Sequence, residues 1–134
     1  MGGFLKGGDW SYDRLVRLFR PKYARYDPLV EVHEQFFVDG KVGYLKNPLL
    51  HYSHPKLNDA LSKFEIYTTL EAKNLTENIF VAFLKMIFMP IYIFARWMIW
   101  NRGYRDGLRG VFAGIFRGYY DFLLYSKVIS AKLR

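Results

Sequence analysis

The apolar positions of this chain change their period twice in 134 residues. Up to residue 55 they come in short runs, at 15–19, 29–37 and 42–52, which predict strands. Val30, Val32, Phe36 and Val38 are apolar or β-branched, and Asp39-Gly40 supplies a turn. Asp39-Gly40 followed by Lys41-Val42-Gly43-Tyr44-Leu45 predicts a hairpin.

From residue 56 to 78 the period becomes helical. Pro55 stands just before this stretch, a favourable place for a proline at a helix start. Leu57, Ala60, Leu61, Phe64, Tyr67, Thr68 and Leu75 recur at spacings that give one buried stripe. Lys63, Glu71 and Glu77 fall largely off it.

Residues 79–134 form a third, helical and hydrophobic zone. Between Ile79 and Trp100 only Lys85 and Arg96 are charged. The uninterrupted apolar stretch, 86–95, is shorter than the roughly 20 residues a spanning helix needs. Pro90 in its middle predicts a kink. Asn78, Lys85, Tyr92 and Arg96 fall on one narrow polar stripe. A wide apolar face with a thin basic stripe suits the membrane interface, or a re-entrant hairpin bent at Pro90. A buried core helix has the same pattern. A Gly- and Arg-rich turn spans 101–110, and a last helix is predicted from about Leu108 to Ile129. Gly110, Gly114 and Gly118 recur every four residues and predict a smooth face for close helix approach. Arg117 and Asp121 are spaced to pair. The fold class expected is α+β, short strands followed by amphipathic and hydrophobic helices.

Charge sharpens this picture. The net charge is +8. Residues 1–78 carry 11 Lys and Arg against 10 Asp and Glu, a net of +1. Residues 79–134 carry 9 against Asp106 and Asp121, a net of +7. The positive charge therefore sits in the most apolar third, the composition of a surface that docks on anionic lipid. Nucleic acid is the rival partner for a basic chain. It fits less well, because these cations are embedded among Phe, Ile, Met and Trp. The absence of cysteine excludes disulfides and thiolate metal sites. The N-terminal residues do not have the form of a secretory signal.

Candidate chemistry lies in the first zone. Alternation along Val30-Glu31-Val32-His33-Glu34 puts His33 and Glu34 on opposite faces, so one of them points toward a cleft. A carboxylate at a strand end can act as a general base, and an exposed edge-strand glutamate has the same pattern. His51 and His54 flank Tyr52-Ser53; with a carboxylate they can bind a divalent metal, although His54 before Pro55 also suits a structural helix entry. Arg14, Arg17, Arg20, Lys22 and Arg25 interleave with Trp10, Tyr12, Phe19, Tyr23 and Tyr26. Guanidinium groups grip phosphates and rings stack on sugars or bases, so RNA binding can use the same residues. Asp9, Asp13 and Asp27 allow ordinary salt bridges instead. No Walker A loop, GxGxxG or GxSxG occurs.

The order of these pieces resembles a known family. Gly7-Gly8-Asp9-Trp10-Ser11-Tyr12-Asp13, Arg17-Leu18-Phe19-Arg20, Val32-His33-Glu34, Gly43-Tyr44-Leu45 and Leu50-His51-Tyr52-Ser53 are similar to the second half of family 2 glycosyltransferases. The branch most resembled is the bacterial lipopolysaccharide-core glycosyltransferases. Tyr67-Thr68-Thr69-Leu70-Glu71-Ala72 and the Asp106-Gly107 turn continue the likeness.

The resemblance implies the C-terminal portion of a GT-A α/β fold: an acceptor-side β region (1–55), an amphipathic helix (56–78) and a membrane-associating helical region (79–134). It implies inverting transfer from a nucleotide-sugar to a lipopolysaccharide or other lipid-linked glycan acceptor. Glu34 would be the base and His51 a ligand of a divalent metal, Mg or Mn, in the complete enzyme. Trp10, Arg17, Arg20, His33 and His54 would line the substrate side. The expected location is the cytoplasmic face of the bacterial inner membrane, peripheral or monotopic, with no nucleic-acid partner. One departure is clear: no Asp-x-Asp metal motif occurs in the chain. The resemblance therefore places Met1 at an internal position of the family pattern, past the donor site. It predicts that these 134 residues alone do not transfer sugar and need a nucleotide-binding half. A non-catalytic membrane-surface module and an RNA-binding protein are the competing expectations.

Overall fold

The computed structural model describes residues 5–9, 14–26, 36–47 and 57–133. They fall into two compact units, Arg14–Lys63 and Phe64–Arg134 with Met1–Asp13. The α+β class holds at this level, with most described residues helical.

In the first unit, strands β1 (Ala24–Tyr26) and β2 (Phe36–Val38) pair antiparallel, with Arg25 opposite Phe37. A 3-10 turn, Pro21–Tyr23, leads into β1 with its proline at the start of the turn. The backbone N–H of Asp39 donates to the Tyr23 carbonyl at 2.9 Å and extends the pairing by one bond.

Three sequence expectations are corrected here. Residues 15–19 form no strand, and β2 pairs with β1 instead of turning at Asp39-Gly40 to pair with 41–45. Burial explains both outcomes. Leu18 is 84% exposed, and Val42, Tyr44 and Leu45 are all exposed, so a strand in either place would cover no apolar face. The described residues 42–47 of the third expected strand are likewise irregular. Residues 29–35 and 48–52, which hold the rest of the expected strands, lie outside the described residues.

Helix α1 (Leu57–Asn74) belongs to both units and stops four residues before the expected end. Its buried side is Ala60, Phe64, Thr68 and Ala72, one residue in four, while Leu57, Leu61 and Tyr67 are exposed. Thr68 can be fully buried because its hydroxyl donates to the Phe64 carbonyl at 2.6 Å. The chain then breaks at 75–78 because Asn78 starts the next helix: its side-chain oxygen accepts from the Val81 N–H at 2.8 Å.

In the second unit, α2 (Ile79–Ala95) and α3 (Leu108–Lys132) form a helical hairpin. A π turn (Arg96–Trp100) and a 3-10 turn (Gly103–Asp106) connect them. The re-entrant hairpin does not turn at Pro90: α2 continues through it, and the chain reverses between Asn101 and Gly107. The proline removes one backbone donor, whereas the reversal residues supply what a turn needs. Arg102 takes a left-handed conformation at φ 55° and Gly107 a positive φ of 56°.

Gly110, Gly114 and Gly118 are buried along α3, as their spacing predicts. A Cβ on Gly114 would stand 2.9 Å from the Trp97 ring, and one on Gly118 3.0 Å from the Pro90 carbonyl oxygen. The bare backbone lets the two helices close on each other. Trp97 is fully buried at this contact, and Ala82, Leu124, Tyr125, Val128 and Ala72 form the core at the other end.

Candidate functional site

Helix α3 presents three faces. Gly114, Gly118 and Val128 turn toward α2 and its π turn, and Gly110 toward the Gly103–Asp106 turn. Phe116, Tyr120 and Lys127 meet α1: the Phe64 and Phe116 rings lie 4.4 Å apart, and Tyr120 stands edge-on to Phe64 at 5.0 Å. The third face is Leu108, Phe112, Ile115, Tyr119 and Phe122, spaced four, three, four and three apart, and every one of them is exposed. On α2 the side away from α3 is likewise exposed and apolar, including Phe80, Phe83, Ile87, Phe88 and Ile91. Among α2 residues only Ala82 and Ile93 are buried. Contiguous exposed apolar area on this scale marks a surface made for a partner or a membrane.

Several charged groups of this unit are tied to partners within it. Asp9 takes hydrogen bonds from Arg96 and Asn101. Lys85 pairs with Glu77 and lies over the Tyr125 ring at 5.5 Å. The hydrogen bond from Lys85 to Glu77 holds its ammonium pKa above the ordinary value. Lys127 donates to the Glu65 carbonyl and carboxylate and to the hydroxyls of Thr68 and Thr69, all at 2.8–2.9 Å. The polar stripe of Asn78, Lys85, Tyr92 and Arg96 exists, but its two cations are held in ion pairs within the unit. Glu77 and Asp9 carried no signal that they would supply the partners, because both approach from outside the helix.

Inside the bundle Arg117 and Asp121 pair at 2.6 Å, as their spacing predicts. Burial pushes the Asp121 carboxyl above its usual range, against the pull of Arg117. Burial also raises the Tyr120 hydroxyl, and its hydrogen bond to Glu71 at 2.6 Å adds to this. The pair and the Tyr120–Glu71 bond satisfy polar groups that α1, α2 and α3 would otherwise strand.

At the hairpin tip Tyr92, Arg96, Trp100 and Asn101 line an open cleft of about 300 Å³. Trp100 and Tyr104 are exposed beside Arg102 and Arg105. Aromatic rings with guanidinium groups at the end of an apolar surface are the composition of a lipid headgroup belt. Below them the N-terminal segment is pinned to the tip. The N–H groups of Lys6 and Gly7 donate to the Asp106 carboxylate, and the Gly8 N–H donates to the Asn101 carbonyl at 2.8 Å. Gly8 lies against the Trp97 ring with φ +81°, where no side chain would fit. Gly7-Gly8-Asp9 and the Asn101–Gly107 reversal thus meet in space.

The expected catalytic and substrate residues are only partly visible. Arg17 and Arg20 are described and exposed, and the Arg20 carbonyl accepts from the Tyr23 N–H at 2.9 Å. Arg14 lies over the Tyr44 ring at 4.9 Å, while Arg25 and Asp39 face each other at 3.8 Å across open solvent. Trp10, His33, Glu34, His51 and His54 lie outside the described residues. Among the described residues no group of three His, Asp or Glu is placed to hold a metal ion.

Comparison of the chain with known protein families, characterised proteins and solved structures finds no match.

Proposed function

We propose that this chain is the acceptor-side, membrane-docked portion of an inverting family 2 glycosyltransferase. The observation that carries the reading is the row of exposed apolar residues on each of α2 and α3, in the segment that holds a net charge of +7. An enzyme whose acceptor is a lipid-linked glycan needs its acceptor side held at the bilayer, and this surface suits anionic lipid. The ordered motifs from Gly7 to Ala72 supply the family and imply a GT-A framework.

In this reading Glu34 takes the proton of the acceptor hydroxyl. The hydroxyl oxygen then bonds to the anomeric carbon as the bond to the departing nucleoside diphosphate breaks, with inversion. Trp10, Arg17, Arg20, His33 and His54 would contact the substrates. His51 would help hold a Mg or Mn ion, which would supply positive charge to the diphosphate. With no Asp-x-Asp in the 134 residues, the reading requires a nucleotide-binding half from further sequence or a separate chain. The site of action is the cytoplasmic face of a bacterial inner membrane.

Two measurements test the two parts. The chain should float with phosphatidylglycerol vesicles and less with phosphatidylcholine ones; recovery in the unbound fraction with both removes the membrane part. Sugar transfer should appear when a nucleotide-binding half is supplied and vanish with Glu34→Gln. Transfer unaffected by that change removes Glu34 from its role. Membrane binding without any transfer would leave a non-catalytic surface module.

A further inference from the structure

Helix α2 with its π turn, Ile79–Trp100, is 22 residues long and apolar enough to cross a membrane. At a rise of about 1.5 Å per residue it would measure about 33 Å, the thickness of a hydrocarbon core. Length alone therefore permits a hairpin standing across the bilayer, with its tip on the far side. The contacts made by the two ends of the hairpin argue against that.

Both ends are joined to polar chain. At the tip, Asp106 holds the backbone of Lys6 and Gly7, and Asp9 is bonded to Arg96 and Asn101. At the base, Lys85 is paired with Glu77, and Lys127 with Glu65 of α1. Between them α1 crosses α3, touching it through Phe64–Phe116, Glu71–Tyr120 and Glu65–Lys127. The polar flank of the hairpin thus comprises the N-terminal segment at the tip, α1 beside the middle and basal parts of α3, and the ion pairs near the base.

A hairpin standing across the bilayer would have to carry that flank through hydrocarbon. Lys6, Asp9, Arg102, Arg105 and Asp106 would cross with it, and α1 would be submerged beside α3. A hairpin lying flat needs none of this. The outer side of α2 and the Phe112–Ile115–Phe122 row of α3 enter the acyl boundary, the polar flank stays in water, and Trp100, Tyr104 and Arg105 sit at headgroup level.

Resting on the membrane reading above, we propose that the α2–α3 hairpin lies in the plane of a single anionic leaflet, with its tip and base on the same side of the bilayer. Charge complementarity fixes the occupant: the described cations outnumber the anions around an otherwise uncharged apolar surface, as anionic headgroups require.

The chain has no cysteine, so single reporters are unambiguous. Arg105→Cys at the tip and Lys132→Cys at the base both replace exposed residues. Each full chain is synthesised in the presence of sealed phosphatidylethanolamine–phosphatidylglycerol vesicles, floated, and treated with a membrane-impermeant maleimide before and after detergent. Both cysteines should label to the same extent with and without detergent. Labelling of one cysteine only after detergent, with the other open from outside, shows a crossing hairpin and overturns the proposal while leaving membrane binding intact. Failure of both chains to float overturns the membrane reading and this proposal together.

Discussion

The carboxylate of Asp106 accepts a hydrogen bond from the backbone N–H of Gly7 at 2.7 Å, across 99 positions of sequence. It also accepts from the Lys6 N–H at 2.9 Å, so one side chain satisfies two successive donors of the N-terminal segment. Asp106→Ala should cost about 1–3 kcal/mol, the range for bonds to a charged acceptor. Amide exchange at Lys6, Gly7 and Gly8 should rise more than in the α2 core. Equal protection of these amides in the variant would show that the Asp9 contacts alone hold the segment.

Glycine positions give a sharper contrast. Gly8→Ala sets a methyl group into the Trp97 ring at a positive φ, and Gly110→Ala drives one into the Gly103 carbonyl. Each should destabilise by about 1–3 kcal/mol through strain and forced separation. Gly43→Ala meets nothing within 4 Å and should change stability little. Urea unfolding of the three variants checks the order; a neutral Gly110→Ala would mean that α3 approaches the Gly103–Asp106 turn less closely than described.

Asp121 makes stability depend on pH. Its folded-state pKa is raised by burial, so the native state holds this proton more tightly than the unfolded chain does. Its contribution is therefore fully present below the unfolded value of about 3.9 and is lost as pH rises through the raised folded value. Asp121→Asn removes the titration. The stability of the natural chain relative to this variant should fall as pH rises above about 4. A difference that stays flat, or moves the other way, would show that the Arg117 pair dominates.

Charge placed on the exposed apolar face should separate binding from folding. Ile91→Glu and Phe112→Glu replace exposed residues on α2 and α3. Thermal unfolding should move little, while flotation with anionic vesicles should drop by an order of magnitude or more, since burying an ionised carboxylate in the acyl boundary is costly. Full flotation of both variants would place the docking surface elsewhere.

Helix period and glycine spacing made the last two thirds of the fold legible in advance. The Gly110–Gly118 face and the Arg117–Asp121 pair follow from local spacing, which survives tertiary context, but the spacing did not say that α2 is the helix that meets this face. Features that depend on distant partners did not show. Neither the Asp106 bonds to Lys6 and Gly7, nor Asp9 as the partner of Arg96, leaves any local trace. The same reason explains the strand errors: alternation at 15–19 marks residues able to pair, but Leu18 has no apolar surface to cover. Of the candidate site, only Arg17 and Arg20 fall among the described residues; Trp10, His33, Glu34, His51 and His54 rest on the motif pattern alone.

The glycine row of α3 also sets the mechanics of the hairpin. Gly110 faces the Gly103 carbonyl, Gly114 the Trp97 ring and Gly118 the Pro90 carbonyl, three notches each matched to a different tooth. Sliding α3 by one turn would leave one end of the row unmatched and bring a side chain against a backbone tooth. The pair therefore has one register, and changing it would require the two helices to separate first.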